Sequence, residues 1–547
     1  MASFKRIAEK ILGLIEKPDL RLGIFTISFA SLIVARLIIE GAISRFQSHS
    51  FAYFFSEFSH TFLFFSLAFS VLLAVLLPLA RKSVPETASV LLFGFLIILS
   101  PPIIDKLIFG ERLFWSFYQF DGLAGLMRGY FTLFGGNPQI GITYGVRFEV
   151  IMVSILAALY VGLVTKRVIR GFLSGLAVYS VLYILGTFPS WLTLLFKLPA
   201  GQLLSTNSLD VAGFFLSPES VLGRELTDTR SVLNTKMSLI YGVLLPCIMF
   251  ALLFWKRRDH FLALFRNARL PQVCYHGGLI SVGMLLALLY NPPSPVFSIF
   301  DATATVSLLM AAVLAWLASV AVNDWYDTRI DAITNPKRPL TEKTISPEAY
   351  FDYGVLFFAG SLLLAGTVSF TALLLLLGYQ ALAFLYSAEP FRLKRFPIIA
   401  TAIAAACGLL VLSAGFLAVS PSGNLDALPL RLLFFLGAAY TILLPIKDFK
   451  DIKGDARDGV YTFPVLLGEK KARLVLGGLA FLVFSLSPAI LNVPLLAPEG
   501  LLFGSAAFWI LQVARRDPKS FFDYYRLPAI MMALAFTYGL VLLVLVT

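Results

Sequence analysis

Apolar runs dominate the chain, and polar positions fall between them rather than alternating within them. Fifteen runs are long enough to cross a bilayer, near 22–42, 55–80, 87–104, 149–165, 171–195, 237–255, 275–290, 302–322, 353–367, 370–386, 397–419, 430–446, 472–489, 499–513 and 527–546. Run length, not helical periodicity, is the informative quantity here, because a spanning helix is apolar all round. The pattern predicts an all-α, polytopic membrane protein of about fifteen transmembrane helices. Before the first run, residues 4–17 (FKRIAEKILGLIEK) mix charge and aliphatics at helical spacing. They read as an interfacial helix lying on the membrane. Two long polar segments, about 105–147 and 196–236, carry turn residues and some charge, and are expected to form small caps or partly re-entrant pieces.

Composition agrees with this reading. The 547 residues are 58% hydrophobic and only 14% charged, with a mean hydropathy of +0.84. The formal net charge of +12 belongs first to loops. Placing the N-terminus in the cytoplasm and alternating puts Arg81-Lys82, Lys166-Arg167-Arg170, Lys256-Arg257-Arg258, Lys337-Arg338, Lys394-Arg395, Lys470-Lys471 and Arg515-Arg516 on the inner side, and the C-terminus outside. No basic tract interleaves with aromatics, so nucleic acid is not an expected partner. Cys247, Cys274 and Cys407 lack metal or disulfide spacing. The basic linker around 261–271 divides a six-span segment, 1–260, from a nine-span segment, 272–547.

Charge inside the apolar runs is rare and costly, so each instance is a candidate. Arg36 and Glu40, four apart in the first run, read either as a buried structural ion pair or as part of a polar site. Arg147 and Glu149 read as interfacial anchors. The densest cluster follows the run at 302–322. Asn323, Asp324, Asp327 and Asp331 fall within nine residues, and the three aspartates share one helical face at i, i+3 and i+7. Like charges at that spacing repel, so the cluster is a poor stability device and a good cradle for a hard divalent cation. The chain then repeats it: Asp448, Asp451 and Asp455 match in register, with Lys447 replacing Asn323. The repetition suggests two related halves facing one site, with two cations around one diphosphate.

These motifs, with the Asn335-Pro336-Lys337-Arg338-Pro339 loop, the Tyr386–Arg395 segment and Thr462-Phe463-Pro464, resemble the UbiA superfamily of intramembrane prenyltransferases over about residues 272–547. The resemblance implies a nine-helix bundle that moves a polyprenyl group from its diphosphate to a lipid or aromatic acceptor within the bilayer. It implies Mg²⁺, held by Asn323 and Asp327 on one side and Asp451 and Asp455 on the other, with Asp324, Asp331 and Asp448 binding metal or orienting its ligands. Lys337, Arg338, Lys394, Arg395 and Tyr386 would contact the diphosphate, and Asp327, Asp331, Asp451, Asp455 and Lys394 would carry catalysis. The family's branches leave several acceptors open: a quinone precursor, a glycerophosphate-type lipid alcohol, a tetrapyrrole carboxylate, or a polyprenyl phosphate meeting a phosphoribosyl donor. Readings of another class are an ion or lipid transporter and a non-catalytic scaffold. Residues 1–260 resemble no family; lipid handling, a scaffold for a pathway-partner enzyme, or a second enzyme are the options.

Overall fold

A computed structural model describes residues 10, 12–17, 20–43, 51–110, 118–136, 142–221, 224–226, 228–290, 298–420, 425–450, 452, 456 and 461–546. Of the expected interfacial segment at 4–17, positions 10 and 12–15 are helical and 1–9 lie outside the described residues. Among the described residues, 14 helices are long and apolar enough to cross a membrane, and Leu527–Leu542 is a shorter apolar stretch. Together they account for the fifteen runs. The protein is an all-α, multi-pass membrane protein, with one small ribbon as its β-structure among the described residues. The chain packs as two compact units: unit 1 comprises 1–221, 225–262 and 298–304, and unit 2 comprises 222–224, 263–297 and 305–547.

In unit 1 the elements are α1 (Leu22–Ile43), α2 (Phe51–Ala80), α3 (Val84–Gly94), a 3₁₀ turn (Phe95–Leu99), α4 (Ser100–Phe109), α5 (Leu123–Phe131), α6 (Tyr144–Thr165), α7 (Val168–Gly186), α8 (Phe188–Lys197), α9 (Ser208–Leu216), the ribbon strands β1 (Glu219–Val221) and β2 (Arg224–Leu226), and α10 (Thr229–Lys256). The run expected at 171–195 is broken into α7 and α8. The break falls at Thr187, whose φ of -117 and ψ of 18 leave helical geometry, and Pro189 in the first turn of α8 supplies no backbone donor to continue α7. The run expected from 237 starts earlier, at Thr229. Asp228 caps α10 by accepting from the Ser231 amide at 2.9 Å, and the first turns bury polar Asn234 and Lys236 that hydropathy alone discounts. The two long polar segments contain α5, α9 and the ribbon. The core holds Phe29, Phe65, Phe69 and Phe95, with Phe29 and Phe95 stacked at 5.2 Å.

The remaining elements are α11 (Arg258–Asn267), α12 (Leu270–Tyr290), α13 (Ile299–Thr334), α14 (Pro347–Val368), α15 (Phe370–Ser387), α16 (Pro397–Val419), α17 (Leu430–Leu443), a 3₁₀ segment (Leu444–Lys450), α18 (Phe463–Leu467), α19 (Glu469–Leu491), α20 (Ala497–Val513) and α21 (Leu527–Val546). Helices α12 and α16 approach backbone to backbone. A Cβ on Gly283 would sit 2.0 Å from the Leu412 carbonyl oxygen, and one on Gly415 2.2 Å from that of Ile280. Reciprocal glycines of this kind substitute for the hydrophobic drive that lipid removes. Helix α13, with 36 residues, is about 54 Å long at ~1.5 Å per residue. That exceeds a hydrocarbon core of roughly 30 Å, so its polar last turns extend past its apolar stretch while remaining helical.

Candidate active site

The first acidic motif lies wholly within α13, as its spacing predicts, and the helix ends at Thr334 before Asn335-Pro336. The three aspartates do not act as one group. Asp324 is 1% exposed and accepts from Asn267 Nδ2 at 2.6 Å, Tyr350 Oη at 2.7 Å, an Arg338 guanidinium N–H at 2.7 Å and an Arg269 N–H at 3.4 Å. Those four donors come from α11, the α11–α12 connector, the loop after α13, and α14. Arg338 also donates to Asp331, which receives Asn335 Nδ2 at 3.3 Å. Asp324 and Asp331 thus form one buried pair bridged by a single guanidinium.

Asp327 points elsewhere. It accepts from Arg392 Nη2 at 2.8 Å and from the Lys394 ammonium. Lys394 Nζ donates to Asn323 Oδ1 at 3.2 Å, and Ser387 Oγ donates to the same oxygen at 3.3 Å. Oxygens of Asn323 and Asp327 therefore converge on one positive point. Burial pushes the Lys394 ammonium below the ordinary lysine range, and the Asp327 carboxylate opposes that. Burial, with Arg338 nearby, lowers Arg269 in the same way.

The turn after α15 supplies the cations. Arg392 takes a left-handed backbone, φ 40, an uncommon choice for a non-glycine residue. The turn brings both Arg392 and Lys394, two residues on, to Asp327. Its Nε is buried with no acceptor among the described residues. Arg395 instead faces outward, 54% exposed, and pairs with Glu389 at 2.7 Å. Lys337 is exposed. Tyr386 lies within electrostatic reach of both Asp327 and Asp448, which puts Asp448 in the same region of unit 2 as Asp327.

The second motif differs locally from the first. Its opening is a 3₁₀ segment, Leu444–Lys450, after Pro445 interrupts α17. Asp448 lies on that segment, and Asp451 and Asp455 lie outside the described residues. Among the described residues no three His, Cys, Asp or Glu side chains gather as a metal site. Of the expected residues, the structure joins Asn323, Asp327 and Lys394, turns Arg338 back onto Asp324 and Asp331, and leaves Lys337 and Arg395 outward. Sequence reasoning did not single out Arg392, Asn267, Arg269 or Tyr350. Arg392 carried a signal, a second cation two residues before Lys394; the others carried none.

Residues 278–543 match the UbiA prenyltransferase family. The digeranylgeranylglyceryl phosphate synthase of Methanothrix thermoacetophila is 33% identical over 218 residues, covering 39% of this chain and 74% of that protein. The synthase of the same name from Natronomonas pharaonis is 30% identical over 214 residues, covering 39% and 71%. Among solved structures, a UbiA homolog from Archaeoglobus fulgidus bound to GPP and Mg²⁺ shares 20% identity and a TM-score of 0.39, over 51% of this chain and 98% of that one. The chain, through its C-terminal half, belongs to the UbiA prenyltransferase family and is a membrane prenyltransferase.

Proposed function

We propose that the enzyme moves a geranylgeranyl-type group from its diphosphate to the hydroxyl of a glycerophosphate-type lipid, with Mg²⁺ as cofactor. The reading assigns catalysis to residues 272–547, with 261–271 as connector and 1–260 as a separate membrane domain. The acceptor follows the names of the relatives, which are digeranylgeranylglyceryl phosphate synthases. The observation that carries the reading is the convergence of Asn323 and Asp327 oxygens on one cation, beside an arginine with a spare buried N–H. Hard, partly anionic oxygens suit Mg²⁺, and the spare donor suits an anionic oxygen.

Asn323 and Asp327 would hold one Mg²⁺, and Asp451 and Asp455 a second. Bound there, the metal neutralises the leaving diphosphate. Lys394 and Arg392, released from Asp327, donate to diphosphate oxygens, where a fork-shaped guanidinium is well matched. Asp324, Asp331 and Arg338 hold the end of α13 rigid, so that Asn323 and Asp327 keep their aim. Apolar helix walls keep water from the allylic cation formed as the C–O bond breaks. The acceptor hydroxyl oxygen then forms the new ether bond to the allylic carbon and gives its proton to the departing diphosphate. The basic loops support a cytoplasmic position for this end of α13.

The test is incubation of the purified full chain with geranylgeranyl diphosphate and either geranylgeranylglyceryl phosphate or 4-hydroxybenzoate, with Mg²⁺ or with EDTA. The expected product is the diether phosphate, formed only with metal. Prenylation of the aromatic acid alone, or a rate untouched by EDTA, would overturn the proposal.

A further inference from the structure

Unit 1 contains a cavity of about 510 Å³, within the usual range for small-molecule sites. It runs beside α2 from Glu57 to Leu76, 19 residues and therefore about 28 Å at ~1.5 Å per residue. A cavity of that length along one helix suits an extended hydrocarbon chain. Most of the wall is apolar, formed by residues such as Phe65, Leu72, Phe95, Val150 and Ala157.

One end is polar. Arg36 of α1 lies 3.7 Å from Glu149 of α6 and 3.8 Å from Glu40, and donates to the Ile98 carbonyl at 2.6 Å. Glu57 accepts from Arg230 at 2.6 Å and from Asn234 at 2.8 Å. His60 Nε2 lies 2.7 Å from Tyr118 Oη, which lies 2.6 Å from Tyr241 Oη. All but Tyr241 border the cavity. Glu149 accepts no hydrogen bond from any described residue. A carboxylate set into a spanning helix without a donor is expensive to keep.

We infer that unit 1 binds a single-chain lipid alcohol, its hydrocarbon chain in the apolar tunnel and its hydroxyl donating to Glu149. Carboxylates outnumber guanidinium groups among the lining residues, with Glu40, Glu57, Glu149 and Asp228 against Arg36 and Arg230. A phosphate headgroup would meet net repulsion there, whereas a hydroxyl can donate to Glu149 and accept from Arg36. The inference does not depend on the acceptor proposed for unit 2.

The test is equilibrium binding of tritiated geranylgeraniol to the full-length protein in detergent, with oleyl alcohol and geranylgeranyl monophosphate as competitors. Saturable binding is expected, weakened at least about ten-fold by Glu149→Gln, as for loss of a charged hydrogen bond, and abolished by Ala157→Phe or Leu72→Trp. Displacement by unlabelled geranylgeraniol but not by oleyl alcohol supports an isoprenoid alcohol, and equal displacement by oleyl alcohol supports alcohols of either chain type. Asp327→Ala is expected to leave binding unchanged. Binding that is lost with Asp327→Ala but survives Glu149→Gln and both filling variants would place the ligand in unit 2 and overturn the inference. Tighter binding of the monophosphate at the same site would overturn it too. If Ala157→Phe fails to fold, Leu72→Trp and the isosteric Glu149→Gln, checked by melting temperature, decide.

Discussion

The two units handle intramembrane charge in opposite ways. In unit 2 the carboxylates of α13 are saturated: Asp324 has four donors, and Asp331 and Asp327 each have a cation. They sit where a long helix leaves its apolar stretch. In unit 1, Glu149 sits within a spanning helix against a cavity, with Arg36 at 3.7 Å and no hydrogen bond among the described residues. The first arrangement is braced before any substrate arrives. The second keeps a strong acceptor waiting at the polar end of a mostly apolar cavity. Saturated charge holds a scaffold in shape; an under-satisfied charge is kept for what binds it.

The largest expected effect separates the units by function. Asp327→Ala should lower prenyl transfer at least about 100-fold, the scale of losing an electrostatic contact to a charged transition state. A radiolabelled product assay reads this, and a loss under about three-fold would remove Asp327 from the site. Next, the contrast in saturation predicts opposite signs for two isosteric changes. Asp324→Asn leaves buried cations underpaired and should cost about 3 kcal/mol of stability. Glu149→Gln removes an under-satisfied charge while Arg36 keeps Glu40, and should raise the melting temperature, as relief at functional sites commonly does. Thermal unfolding in detergent measures both, and shifts of the same sign would erase the distinction drawn between the units.

Packing gives a control that touches neither charge cluster. Gly415→Val would drive a side chain into the Ile280 carbonyl and should cost about 1–3 kcal/mol, read as a lowered melting temperature. The smallest effect is at Tyr350. Tyr350→Phe removes one of four donors to Asp324 and should cost about 1–2 kcal/mol, with a small fall in turnover. A change as large as that of Asp324→Asn would mean that the hydroxyl, not the guanidinium, is the main brace.

Much of unit 2 was legible because its signals are local. The apolar runs announce themselves by length, and Asp324, Asp327 and Asp331 share a face because 3.6 residues make a turn. The repeat at Asp448 doubles the signal. Which aspartate does what was not legible. Arg338 reads as a loop cation near a phosphate until the chain folds it onto Asp324 and Asp331. Arg392 reads as one more basic residue until a left-handed turn aims it at Asp327. In unit 1 the bland reading of Arg36 and Glu40 as an ion pair was incomplete. The pair exists at 3.8 Å, but it borders the cavity with Glu149, which read as an interfacial anchor.

From its order of residues alone, the chain specified its membrane character, its fifteen apolar segments, its duplicated acidic motif and its family, since each depends on run length or spacing within a few tens of residues. Only the folded chain divided the acidic motif into a buried brace and a cation-facing pair, and only it assembled the polar end of the unit 1 cavity. Those arrangements join positions such as 36 with 149, 57 with 230 and 327 with 394. Contacts across such separations depend on how helices pack, and no periodicity along the chain encodes them.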